Sequence, residues 1–182
     1  MPLVLLLGGV RSGKSRMAVR LAAAGGRRVV VVASGEARDE EMAERIRRHR
    51  AERPRDWQTV EEPLDLEGAL AGVPEEACAL VECLTLWVSN LLERSLSDPG
   101  IEDRARKAAA LAASRAAGTV AVTNEVGWGV VPDNALARRF SDVLGRVNAI
   151  WAEHADRSAL VVAGRILPLI GLEVMADDRA GE

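Results

Sequence analysis

The chain has 182 residues, of which 48% are hydrophobic and 28% charged, with a formal net charge of -3, enough for one α/β domain over residues 1–182 and too few for two. The small negative charge lacks the basic field that neutralises nucleic-acid phosphates, which excludes a general nucleic-acid binder. No run approaches the ~18 apolar residues of a membrane span, and the first apolar run leads into GGVRSGKS rather than a cleavage site, so stable membrane insertion is not expected and a cytoplasmic location is.

In chain order, the first predicted strand is LVLLL at 3–7, a continuous apolar run of the kind found when both faces are covered. It leads into Gly8, Gly9, Val10, Arg11, Ser12, Gly13, Lys14 and Ser15, and a helical pattern occupies 14–24. Gly-x-x-x-x-Gly-Lys-Ser between a strand and a helix is the phosphate-binding loop in the context it requires. Its glycines let backbone N–H groups turn inward around phosphate oxygens, and the helix adds its positive N-terminal end. Lys14 would neutralise the β- and γ-phosphates of a nucleoside triphosphate, and the Ser15 hydroxyl would ligate Mg²⁺.

A second strand is predicted over 28–33 (RVVVVA) and a helix over 39–52. Met42, Ile46, His49 and Arg53 share one stripe of that helix, so His49 points where apolar side chains point. A histidine on such a face is more often packed than reactive. Here Arg45, Arg47, Arg48, Arg50 and Arg53 crowd it in sequence. Nearby cations favour the neutral ring that attacks phosphorus, and planar guanidinium groups suit a triphosphate or a departing pyrophosphate. The helix is entered through SGEARDEE, which is polar and poor in apolar anchors, so without nucleotide the helix is expected to be open or mobile, with His49 too far from the loop for chemistry until GTP brings them together.

The third predicted strand, 77–82 (ACALVE), ends on Glu82, an acid placed to hold the same Mg²⁺; capping of the next helix or pairing with Lys14 are the alternatives. Cys78 and Cys83 lack metal or redox spacing and read as small apolar side chains in or beside this strand. A helix over 84–95, a local turn at 97–100 (SDPG), a helix over 102–117 and a strand over 119–124 follow. The segment VTNEVGWGVVP leaves that strand at the end where open parallel sheets bind ligands, making Asn124 and Glu125 candidate contacts and Trp128 a substrate-facing or interface residue. A last helix over 135–154 carries Leu136, Phe140, Val143, Leu144, Val147, Ile150 and Trp151 on one stripe. His154 near its end suits a surface or helix-terminus role, and a strand is predicted over 158–163. This alternation specifies an α/β fold, a doubly wound, mostly parallel sheet of the P-loop nucleotide-binding kind.

Four stretches carry a family resemblance: GGVRSGKS, ASGEARDEEMAERIRRHRAERPRDW, LVECLTLWVSNLL and VTNEVGWGVVPDNALARRFSDVLGRVN. In this order and spacing the chain resembles the bifunctional adenosylcobinamide kinase/adenosylcobinamide-phosphate guanylyltransferases of cobalamin biosynthesis. The resemblance implies phosphorylation of adenosylcobinamide by ATP or GTP with Mg²⁺. It also implies transfer of GMP from GTP, through a guanylylated histidine, to adenosylcobinamide phosphate. Carried over residue by residue, it implies Gly8 to Ser15 as the nucleotide loop with Lys14 catalytic and His49 as the guanylylated residue. It further implies Ala33, Ser34, Gly35, Glu52, Arg53, Pro54, Arg55, Glu61 and Glu82 as nucleotide contacts, and a homotrimer as the assembly. Arg48 stands where the family often has a second histidine, and Ser34 replaces a common threonine. The C-terminal stretch matches weakly, and the last ten or so residues are expected to fray.

Two other classes compete with this reading: a monofunctional P-loop kinase of small metabolites and a nucleotide-binding switch protein. A switch protein would carry a guanine-specificity motif of the N-K-x-D type, and TNEV at 123–126 is the nearest stretch. A plain kinase needs no reactive histidine.

Overall fold

The computed structural model describes residues 3–171, so the predicted fraying of the terminus lies outside the described residues. The elements alternate as the apolar runs require: β1 (Leu3–Gly8), α1 (Lys14–Ala24), β2 (Val29–Ala33), α2 (Glu40–Ala51), β3 (Gln58–Glu61), α3 (Leu66–Ala71) and β4 (Cys78–Glu82). They continue as α4 (Leu84–Glu93), α5 (Asp98–Ser114), β5 (Thr119–Asn124), α6 (Ala135–His154), β6 (Arg157–Val162) and β7 (Arg165–Leu169). The seven strands form one sheet in the order β3-β2-β4-β5-β1-β6-β7. Its pairs are parallel except the last, where β7 runs antiparallel to β6.

Strand alternation divides the core in two. Leu3, Leu5 and Leu7 join Val30, Val32, Ala79 and Val81 on the face covered by α3 to α6, where Trp87 and Trp151 are buried. Leu6, Val29, Val31, Leu80, Val120 and Val122 face the other way, against Ala18 and Ala22 of α1. The runs read as continuously apolar because both faces of the sheet are covered. In contrast α2 has no buried residue and lies outside both clusters.

Three elements escaped prediction. β3 is four residues of mixed polarity (QTVE) on the sheet edge, and α3 is a single short helix containing Gly68. β7 contains Pro168, which a strand tolerates only at an edge, and here β7 is the edge. The predicted turn at 97–100 is instead the start of α5. Ser97 accepts a hydrogen bond from the Gly100 N–H and Pro99 occupies the first turn, a Ser-cap and early-proline signature that outweighs the turn reading of SDPG.

Register brings the site together. Gly8 pairs with Asn124, and Ala33 pairs with both Glu82 and Glu61, so the carboxyl ends of β1 to β5 lie along one edge. At Gly8 a Cβ would come within 2.5 Å of the Val161 carbonyl oxygen and 2.7 Å of Ser12 Oγ. Gly8→Ala is therefore expected to lower stability by about 1–3 kcal/mol through overpacking and to displace the loop. Urea unfolding together with nucleotide-binding calorimetry checks both effects.

Candidate active site

The loop after β1 is shaped by backbone turns that admit few side chains. Arg11 and Gly13 both have positive φ (58° and 97°). The Ser12 N–H donates to the Gly9 carbonyl, and the Gly164 N–H, from the β6–β7 turn, donates to the Ser12 carbonyl at 2.7 Å. Lys14 begins α1 and folds back, its Nζ donating to the Gly9 carbonyl at 2.9 Å. It is 8% exposed and forms no ion pair among the described residues. Burial lowers its pKa. Ser12 Oγ is buried with no hydrogen-bond partner. A buried cation with no ion pair among the described residues, felt by the Glu82 carboxylate only at a distance, beside an orphaned hydroxyl and at a helix N-terminus, is a receptacle for an anion.

Above the loop a cavity of about 460 Å³ is lined by Val10 to Arg16 on one side and by Met42, Arg45, Ile46, Arg48, His49 and Arg50 of α2 on the other. Glu82 of β4 sits between them. His49 Nδ1 lies 2.9 Å from Glu82 Oε1, and Arg53 Nη2 lies 2.5 Å from Glu82 Oε2. The Arg53 and Glu82 side chains are 8% and 9% exposed, and Arg53 also donates to Thr59 Oγ1 at 3.3 Å.

Burial pushes the Glu82 carboxyl up, but the His49 hydrogen bond and the Arg53 charge outweigh it and bring the group from its ordinary 4.5 to about 2. A carboxyl depressed in the fold contributes stability above its unfolded pKa, and that contribution is lost as pH falls from about 4.5 toward 2. Thermal melts should show the wild-type protein losing more stability across that window than Glu82→Gln. Parallel curves would show that the ion pair contributes nothing.

One expectation changes here. The charge that touches the His49 ring is the Glu82 carboxylate, not an arginine: Arg53 is directed at Glu82, and Arg47 is drawn off into an exposed pair with Glu44. The helix is held at both ends. His49 and Arg53 tie its last turn to the end of β4, Ile46 lies near Gly35, and its entry is held by Arg38, which bonds Glu36, Glu93 and Asn90. His49 and the loop consequently face each other across one cavity.

The remaining sequence candidates divide. Ala33, Gly35, Glu52, Arg53, Glu61, Glu82 and Asn124 line the cavity, whereas Gly8, Gly9, Ser34, Pro54 and Arg55 do not. Ser34 is buried, and its hydroxyl both donates to the Cys83 carbonyl (2.7 Å) and accepts from the Cys83 N–H (3.1 Å). It fastens residues 33–35 to the end of β4. Arg16, Thr59, Cys83, Leu86 and Val122 line the cavity without having been foreseen as site residues; only the tertiary fold brings them there. Asn124 is set by a buried chain: its N–H donates to Thr85 Oγ1, its carbonyl accepts from Asn148, and Asn148 also accepts from Thr123. His154 Nδ1 meets the Ile150 carbonyl at the end of α6, the helix-terminus role expected of it.

For magnesium the donors fit in part. Ser15 lines the cavity beside the loop, and its residue type can supply a hydroxyl ligand. Glu82 does not fit as a direct ligand in this arrangement, because His49 and Arg53 occupy both its oxygens; it neither caps α4 nor pairs with Lys14. Among the described residues no group of three or more His, Cys, Asp or Glu side chains could hold a metal ion. No helix among them is long and apolar enough to cross a membrane.

A mostly parallel sheet with Gly-x-x-x-x-Gly-Lys-Ser between its first strand β1, an interior strand, and its first helix defines a P-loop nucleotide-binding protein. In fold it is similar to a solved structure of a prototypical ATPase from the type III secretion system of pathogenic bacteria. The TM-score is 0.51 at 10% identity, covering 97% of this chain and 53% of that one, so the chain spans about half of that structure and the likeness concerns fold alone. Within this class the chain belongs to the cobinamide kinase / cobinamide phosphate guanyltransferase (CobU) family, which matches residues 4–169. It is 46% identical over 169 residues to the bifunctional adenosylcobalamin biosynthesis protein CobP of Pseudomonas aeruginosa, covering 92% of this chain and 96% of that protein. It is 38% identical over 176 residues to the bifunctional adenosylcobalamin biosynthesis protein CobU of Salmonella typhimurium, covering 89% and 96%.

Proposed function

We propose that the chain catalyses two successive reactions in one cavity. In the first, the phosphate loop holds ATP or GTP and the γ-phosphoryl group passes to the hydroxyl of adenosylcobinamide. In the second, His49 takes GMP from GTP, releasing pyrophosphate, and passes it to adenosylcobinamide phosphate to give adenosylcobinamide-GDP. The observation that carries this reading is the pairing across the cavity of a buried lysine that makes no ion pair among the described residues with an oriented histidine. A kinase alone has use for the first and none for the second.

The residues divide the work by position. Backbone N–H groups of the loop and Lys14 receive the β- and γ-phosphates, where charge develops during phosphoryl transfer. Arg45, Arg48 and Arg50 of α2 face the same space and suit the triphosphate or the departing pyrophosphate. A magnesium ion, when bound, would screen phosphate charge, and Ser15 would be the residue to hold it. Ala33, Gly35, Glu52 and Glu61 remain as contacts for the nucleotide. Trp128, Val130 and Val131, 75%, 96% and 75% exposed in the loop after Asn124, offer an apolar surface to the corrinoid. Assembly as a homotrimer in the cytoplasm completes the proposal.

Purified protein supplied with adenosylcobinamide, ATP, GTP and Mg²⁺ should yield the phosphorylated and then the GDP-linked corrinoid by mass spectrometry. Accumulation of the phosphorylated species alone would leave a monofunctional kinase, and no corrinoid product would overturn both reactions.

A further inference from the structure

We infer that Glu82 is a positioning residue for His49, holding the Nδ1 proton so that Nε2 is the atom that receives the guanylyl group. The inference rests on the proposed relay and adds to it the atom and its orienting partner. An ionised carboxylate has no proton to give, so the 2.9 Å contact between Nδ1 and Oε1 is a hydrogen bond donated by the ring. In the neutral imidazole Nε2 then carries the free lone pair, and among the described residues it has no hydrogen-bond partner.

The supports are unequal, which gives the pair a direction. Glu82 is the last residue of β4, in register with Ala33 and Val122, and its carbonyl accepts from the Ser34 N–H at 3.0 Å. Its second oxygen is held by the buried Arg53. His49 instead rides on a helix with no buried residue. A rigid strand end therefore orients a ring carried by the least anchored helix near the cavity, and Arg53 keeps the carboxylate in one rotamer. The same two bonds explain why Glu82 is not available as a direct magnesium ligand.

The chemistry balances without moving a proton through the ring. The Nε2 lone pair forms the bond to the α-phosphorus, and the bond from that phosphorus to the α,β-bridging oxygen breaks, its electron pair leaving with pyrophosphate. The ring now bears phosphorus on Nε2 and hydrogen on Nδ1, and its positive charge faces the Glu82 anion. In the return step a phosphate oxygen of adenosylcobinamide phosphate forms the new P–O bond, and the P–N electron pair returns to Nε2. Glu82 stabilises the cation between the two displacements, as a carboxylate behind a catalytic imidazole does elsewhere.

The chain has only two histidines, so ¹⁵N-histidine labelling of the full-length protein, with His154→Gln for assignment, reads the His49 tautomer without nucleotide and without activity. The wild-type protein should show Nδ1–H, and Glu82→Gln, whose amide can donate to Nδ1, should lose that preference. After incubation with GTP and Mg²⁺, phosphorus–nitrogen coupling in the alkali-denatured protein should place the guanylyl group on Nε2. In single-turnover labelling Glu82→Gln should be slower by about 100-fold or more at saturating GTP, with the half-saturating GTP concentration little changed. An Nε2–H tautomer in the wild type, guanylylation on Nδ1, or a variant defect confined to GTP affinity would overturn the role of Glu82 while leaving the histidine relay intact. The expected tautomer in a wild-type protein that never acquires label would instead overturn the relay, and the assignment of Nε2 with it.

Discussion

His49→Ala is expected to abolish guanylyl transfer while leaving phosphorylation of adenosylcobinamide measurable. Without the nucleophile no covalent intermediate forms, and direct attack by the acceptor on GTP lacks an arrangement built for it, so the second reaction should fall by about 10⁴-fold or more. The fold has little reason to suffer. The His49 side chain is 30% exposed, α2 contributes nothing to either apolar cluster, and Arg53 still pairs with Glu82 after the ring is gone. Pyrophosphate release from GTP in the presence of adenosylcobinamide phosphate is the readout for the second reaction. Corrinoid phosphorylation in the same preparation is the control for folding and loop integrity. Pyrophosphate release at the wild-type rate would remove His49 from the chemistry.

Lys14→Ala and Lys14→Met should impair both reactions, because both bind a triphosphate in the same loop. The ammonium acts where charge accumulates during phosphoryl transfer, and its loss should cost several kcal/mol of transition-state stabilisation, or about a thousandfold in rate. Stability should move the other way. Burial lowers the pKa of Lys14, so at neutral pH the fold holds a charge it disfavours, and an apolar side chain of similar length relieves that cost. Lys14→Met is therefore expected to melt at or above the wild-type temperature while binding nucleotide poorly by calorimetry. Wild-type affinity in the presence of Mg²⁺ would contradict the assignment of the loop.

The sequence disclosed most of the fold because its apolar runs are buried on both faces. RVVVVA and TVAVTN become the interior strands β2 and β5, and LVLLL becomes β1 between β5 and β6. What it hid lies at the edges: QTVE is too short and too polar to stand out, and Pro168 disguises β7. The site divides in a similar way. The phosphate loop is local in sequence and was readable as a unit. His49 and Glu82 were each readable, one from the helical stripe and the other from a strand terminus, but the bond between them spans thirty-three positions and exists only because α2 folds across the carboxyl edge of the sheet. Sequence proximity likewise pointed to the arginines as the charges acting on His49, whereas the fold turns Arg53 toward Glu82 and Arg47 toward Glu44. Ser34 kept its hydroxyl but directs it to the Cys83 backbone, a use that no spacing rule reveals.

The most direct test of the two-reaction account is to incubate the protein with Mg²⁺ and GTP labelled at the α-phosphate, then follow label on the polypeptide through acid and alkali. The account predicts covalent label that acid removes and alkali spares, as a phosphoramidate requires. That label should be absent from His49→Ala and should chase onto adenosylcobinamide phosphate when it is added. A protein that remains unlabelled while phosphorylating adenosylcobinamide, or label that persists in His49→Ala, would contradict it.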